Sequence, residues 1–104
     1  MTINDPPDRP LNEAAVDWVF ERAPIPHPVP PGHPAGPALM MTLLVLAASS
    51  DSDGRVTMTA GEIAAGTDLS TRHVYRTVAY LVELGVIERD GNDYRVLFTK
   101  GDAR

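Results

Sequence analysis

The chain has 104 residues, 43% of them apolar, and carries nine cations against 14 carboxylates, for a net charge of -5 and a pI near 4.9. That is material for one modest core, so a single domain with appendages is expected. The absence of cysteine excludes disulfides, thiolate nucleophiles and cysteine-ligated zinc.

An acidic total argues against a nucleic-acid partner only if the acid is spread evenly, and it is not. Residues 1–54 hold two arginines against seven carboxylates, whereas residues 55–104 hold seven cations against seven carboxylates. A phosphate-binding surface needs local positive potential more than a basic total. The longest apolar run, residues 38–48 with Thr42 inside it, is well short of the roughly 20 residues a membrane-spanning helix needs. It also lies mid-chain without a basic flank, unlike a signal peptide. A soluble cytoplasmic protein with no membrane association is expected.

Residues 1–10 are polar and contain Pro6, Pro7 and Pro10, a composition expected to be disordered at least at its start. A helix over about 12–23 follows, with Asn12 as N-cap, Glu13 in the first turn, and Leu11 positioned to staple onto Val16. Val16, Val19, Phe20 and Ala23 recur at helical spacing beside Trp18, and Pro24 ends the pattern. A helix this short must pack on something to be stable. The next stretch, 24–37, contains seven of the ten prolines and reads as a semi-rigid extended strap. Its PxxP-like spacing also suits a polyproline-binding partner, although a strap wrapping its own domain explains the same residues. His27 and His33 lie in it without a nearby acidic cluster, so no metal site is expected.

Pro37 fits the first position of a helix over about 38–49 in which Leu39, Met40, Met41, Leu43, Leu44, Val45 and Leu46 leave almost no polar face. A helix apolar nearly all round is buried on several sides. The cover must come from the helix carrying Trp18 and Phe20, from a second copy, or from both. A homodimer through residues 12–48 is therefore expected. Ser49-Ser-Asp-Ser-Asp-Gly54 partly matches a calcium loop, but Ser49 and Ala60 stand where the first ligand and the bidentate glutamate are needed. It reads better as a turn, with Asp and Ser closing Asx-type bends and Gly54 at positive φ.

Residues 55–58 read as a short strand, and Thr59-Ala-Gly-Glu62 is a capping box opening a helix to about Gly66. Thr67-Asp-Leu-Ser70 is a tight turn with Ser70 as N-cap of a second helix ending at Gly85. Residues 86–89 and 94–98 form a hairpin around Asp90-Gly-Asn-Asp93. On the second helix, Val74, Val78 and Leu81 face one way, with Val82 and Leu84 on the flanks. Arg72, Arg76 and Ala79 face the other, with Tyr75 and Tyr80 at the margins, so one exposed stripe should offer two guanidiniums and two phenols. It starts at a helix N-terminus, whose free N–H groups favour a phosphate.

Glu62-Ile-Ala-Ala-Gly-Thr-Asp-Leu-Ser70 and Val74-Tyr-Arg-Thr-Val-Ala-Tyr-Leu-Val-Glu-Leu-Gly-Val-Ile87 resemble the winged helix-turn-helix family, especially bacterial regulators and plasmid or phage DNA-binding proteins. The resemblance runs from about Pro37 to Phe98. Asp68 stands where the family usually has a turn glycine, though Asp tolerates left-handed geometry better than most residues. The resemblance implies a mainly α fold with a small β-hairpin: an N-terminal extension over 1–36, a winged helix-turn-helix domain over 37–99 and a tail over 100–104. It implies a small homodimeric transcriptional regulator, such as a repressor, that binds double-stranded DNA. The helix over 70–84 would enter the major groove and the wing over 88–95 would meet the backbone.

The DNA-binding residues expected on that basis are Ser70, Thr71, Arg72, His73, Tyr75 and Arg76 on the helix, with Arg89 and Arg95 on the wing. The bland readings are a merely solvated helix face, or Arg72 and Arg76 paired with Glu83, and wing arginines paired with Glu88, Asp90 and Asp93. Alternatives of function are a winged-helix protein-interaction module and a plasmid or phage replication, partition or excision factor. No phosphate loop, H-E-x-x-H or cysteine nucleophile is present, so no enzymatic activity, cofactor, metal or small-molecule ligand is expected.

Overall fold

The computed structural model describes residues 12–98, which form four helices and a small antiparallel sheet. In chain order they are α1 (Glu13–Glu21), α2 (Gly36–Ser49), β1 (Arg55–Val56), α3 (Ala60–Thr67), α4 (Thr71–Glu83), β2 (Ile87–Asp90) and β3 (Asp93–Val96). The expected staple from Leu11, the polar residues 1–10 and the tail over 100–104 lie outside the described residues.

Asn12 caps α1, its Oδ1 accepting from the Ala15 N–H at 3.0 Å. Its amide nitrogen reaches the other way, donating to Ser50 Oγ at 3.2 Å and to the Asp51 carbonyl at 2.7 Å. One side chain thus fixes the start of α1 to the end of α2. The buried face of α1 is Ala15, Trp18 and Val19. The expected face of Val16, Val19, Phe20 and Ala23 is turned by a step, because the bulky Trp18 takes the centre of the contact. Phe20 is left 64% exposed.

α2 begins at Gly36, two residues before the expected start, with Pro37 in the first turn. Ala38, Leu39, Thr42, Leu43, Leu46 and Ala47 are buried. α1, α3, α4 and the sheet of the same chain all pack on this helix, which accounts for its apolar circumference. Each of the fully buried side chains Leu39, Leu43, Leu46, Ile63 and Leu81 stabilises the fold by about 1.5–3 kcal/mol relative to exposure.

The loop after α2 is an Asx turn. Asp51 Oδ1 accepts from the Asp53 and Arg55 N–H groups at 2.9 and 3.0 Å. Gly54 has φ +86°, and a Cβ there would collide with the Val96 carbonyl oxygen. Only glycine suits this position, because its N–H and C=O tie the loop to itself and to β3.

α3 opens with the reciprocal capping box of Thr59 and Glu62, the hydrogen bonds being 3.1 and 2.8 Å. It closes on Asp68 in the left-handed region, at φ 62°. α4 opens on Ser70, whose hydroxyl accepts from the His73 N–H at 3.1 Å, and it ends before Gly85 at φ 79°. The strand expected over 55–58 has only two residues, Arg55 and Val56. It joins the hairpin to make a three-stranded antiparallel sheet ordered β1-β3-β2. Asp90 and Asp93 pair across the hairpin, so its turn residues are Gly91 and Asn92. Of these only Gly91 has positive φ, as a Gly-first two-residue turn requires.

Candidate nucleic-acid interface

Helical phasing sorts α4 into two sides. Val74, Thr77, Val78, Tyr80 and Leu81 are buried, while Thr71, Arg72, Tyr75, Arg76 and Ala79 are exposed. Arg72 and Tyr75, like Arg76 and Ala79, are three residues apart, and Arg72 and Arg76, like Tyr75 and Ala79, are four apart, so all four share one face. Tyr75 is 60% exposed, a large amphipathic ring with no packing duty. Among the described residues neither Arg72 nor Arg76 makes an ion pair. The alternative in which these arginines pair with Glu83 is therefore not found among the described residues.

The remaining helix residues are less available. The Ser70 hydroxyl serves the cap, as noted. His73 is half-buried and its backbone is engaged at both ends, the carbonyl accepting from Thr77 Oγ1 at 2.7 Å. Tyr80, expected at the margin of the exposed stripe, is only 7% exposed, and its ring is stacked on His33 of the strap with centroids 4.1 Å apart. The stripe therefore offers one phenol where two were expected. The strap is the reason, because it covers the flank of α4 that holds Tyr80.

The sheet separates the two hairpin arginines, Arg89 and Arg95. Side chains alternate across a strand, and Arg89 lies opposite Tyr94 while Arg95 lies between Glu88 and Arg55. Arg89 sits over the buried Tyr94 ring, 5.3 Å from its centroid. Arg95 is on the other face, its Nε donating to the Asp53 carbonyl at 3.4 Å. Among the described residues neither arginine is ion-paired with Glu88, Asp90 or Asp93. The residue that takes the hairpin acids is Arg55, which the sequence did not single out as a site residue. Its guanidinium lies 3.1 Å from Asp90 and 3.4 Å from Asp93, and Thr57 Oγ1 donates to Asp93 at 2.7 Å.

The arrangement thus presents two guanidiniums without an ion-pair partner among the described residues, and a tyrosine, on one helix face, with a third cation held over an aromatic ring in the hairpin. Such groups can donate to phosphate oxygens and to the acceptor edge of guanine. Among the described residues no group of three His, Asp or Glu could hold a metal ion, and no helix is long and apolar enough to cross a membrane. Comparison of the chain with family models, curated proteins and solved structures returns no match in any of the three.

Proposed function

We propose that the chain is a sequence-specific double-stranded DNA-binding protein of the winged helix-turn-helix type, acting as a transcriptional regulator. The observation that carries this reading is the outward face of α4, on which Arg72, Tyr75 and Arg76 are exposed behind the Ser70 cap and neither arginine is ion-paired among the described residues. The element order from α2 to β3, with β3 central in the sheet, supports it. In this reading α3 and α4 are the helix-turn-helix, β2 and β3 the wing, and α1 with the strap an addition.

α4 lies in the major groove. Arg72 and Arg76 read guanine O6 and N7, and the Ala79 methyl suits a thymine methyl. Arg89 grips backbone phosphate from the wing. Arg95, on the opposite face of the hairpin, is the weaker candidate. The homodimer expected through residues 12–48 was argued from the apolar circumference of α2, most of which this chain covers itself. Two copies would pair on the DNA itself, with recognition helices about 34 Å apart on a palindromic or repeated target, and selection of bound sequences is what reveals such a target.

Repressor, activator and plasmid or phage replication, partition or excision roles share this geometry. One observation favours a protein-interaction module instead: the hairpin carries Glu88, Asp90 and Asp93 beside its two arginines. Selection of bound sequences from random duplex DNA at two salt concentrations tests the choice. The DNA reading expects enrichment of a two-fold or repeated motif, with affinity falling steeply as salt rises. No enrichment at either salt would refute it.

A further inference from the structure

The exposed aromatic Phe20 lies beside an apolar cleft of about 590 Å³ between the end of α1, the strap and the start of α2. Val19, Ile25, Val29, Pro37 and Met40 line it, and Met41 next to Met40 is 43% exposed. Among the described residues, His27 is the one ionisable side chain in its wall. None of the α4 residues assigned to DNA lines it. The outer face of α1 gives this cleft a polarity. Glu13, Asp17 and Glu21 follow one another at four-residue steps and are all exposed, so they form one acidic stripe. Phe20, three residues after Asp17, borders it on the side of Val19 and the cleft.

We propose that this cleft docks a cationic amphipathic helix of a partner protein, an apolar side chain filling the cleft while its lysines or arginines meet Glu13, Asp17 and Glu21. The choice of occupant follows from charge. A second copy meeting this face about a two-fold axis would bring two identical carboxylate stripes together around two phenylalanines, which is repulsive. A helix with anchors at three- and four-residue spacing and a basic opposite face matches both the apolar cleft and its acidic border. The proposal does not depend on the DNA reading, since the two surfaces share no residue.

The test uses the full chain and two synthetic amphipathic helices with the same Leu/Phe face, one bearing Lys and Arg on the polar face and the other Glu. Fluorescence anisotropy should show the cationic peptide binding and the anionic one not. Phe20→Ser should weaken the cationic peptide by about tenfold or more. The double variant Asp17→Lys/Glu21→Lys should transfer the preference to the anionic peptide. All three side chains are exposed, so thermal melting should be unchanged, and the charge variant tests the idea even if Phe20→Ser perturbs folding. Equal binding of both peptides, or an unchanged preference in the charge variant, would overturn the proposal. So would light scattering that reveals a dimer dissolved by Phe20→Ser, because a second copy would then own the face. DNA selection on the same variants separates the two readings, as either surface can fail while the other stands.

Discussion

Arg72 and Arg76 stand one turn apart on the open side of α4, and neither is ion-paired among the described residues. A guanidinium in that condition has no protein partner to give up on binding, so its hydrogen bonds to a base edge are not offset by a lost ion pair. Arg76→Ala should cost about 1–3 kcal/mol in specific DNA affinity and relax base preference at one position per half-site. A gel-shift titration against the selected motif and its single-base variants measures both effects. Thr42 is the opposite kind of residue. It is fully buried in α2, and its hydroxyl has no hydrogen-bond partner among the described residues. A buried polar group left in that state costs about 1–3 kcal/mol, so Thr42→Val should raise stability by about 1 kcal/mol. Urea unfolding should show the midpoint rising with an unchanged slope.

At the scale of elements, the hairpin depends on a residue outside it. Arg55 neutralises Asp90 and Asp93 from the neighbouring strand β1. The pairs are half exposed, so their loss should change stability by less than about 1 kcal/mol. Arg55→Ala should nevertheless weaken DNA binding, because losing its charge leaves Asp90 and Asp93 to add negative potential at the hairpin tip, on the face opposite Arg89 but within a Debye length of the phosphates. Arg89→Ala should lower the dependence of log affinity on log salt by roughly one phosphate contact. A salt titration of both variants beside wild type distinguishes the effects, and unchanged affinity in Arg55→Ala would count against a wing on the backbone. The caps of these elements were legible in the sequence because their chemistry is short-range. The Thr59–Glu62 box, the Ser70 cap and left-handed Asp68 each involve partners within a few residues. The Arg55–Asp93 pair joins residues 38 apart, and strand register decides it. Phe20 and Tyr80 were misjudged for a related reason. Periodicity fixes which residues share a face, but the bulk of Trp18 and the path of the strap decide which face is covered.

Over the whole molecule, the proline-rich segment acts as a brace. It runs from the end of α1 to the start of α2, and on the way His33 stacks on Tyr80 of α4, so the N-terminal segment and α4 share a contact. An aromatic pair of this kind contributes about 0.5–1.5 kcal/mol beyond its buried area. His33→Ala should therefore lower stability by about 1 kcal/mol. It should also increase hydrogen exchange in the second half of α4, while the first turn around Ser70 is unaffected. Equal protection along α4 in both proteins would show that the strap does not restrain it.

The loop over 48–54 joins both limits of the described chain. Asn12 bonds to Ala48, Ser50 and Asp51 at one side of it. β3 bonds to Gly54 at the other, with Phe98 close by. The way into the fold and the way out of it therefore meet at a single corner. Among the described residues, none of the α4 stripe and none of the cleft beside Phe20 is built from that corner. A change that loosens the loop, such as Gly54→Ala, should therefore release Asn12 and β3 together, read as faster hydrogen exchange at both limits of the described chain.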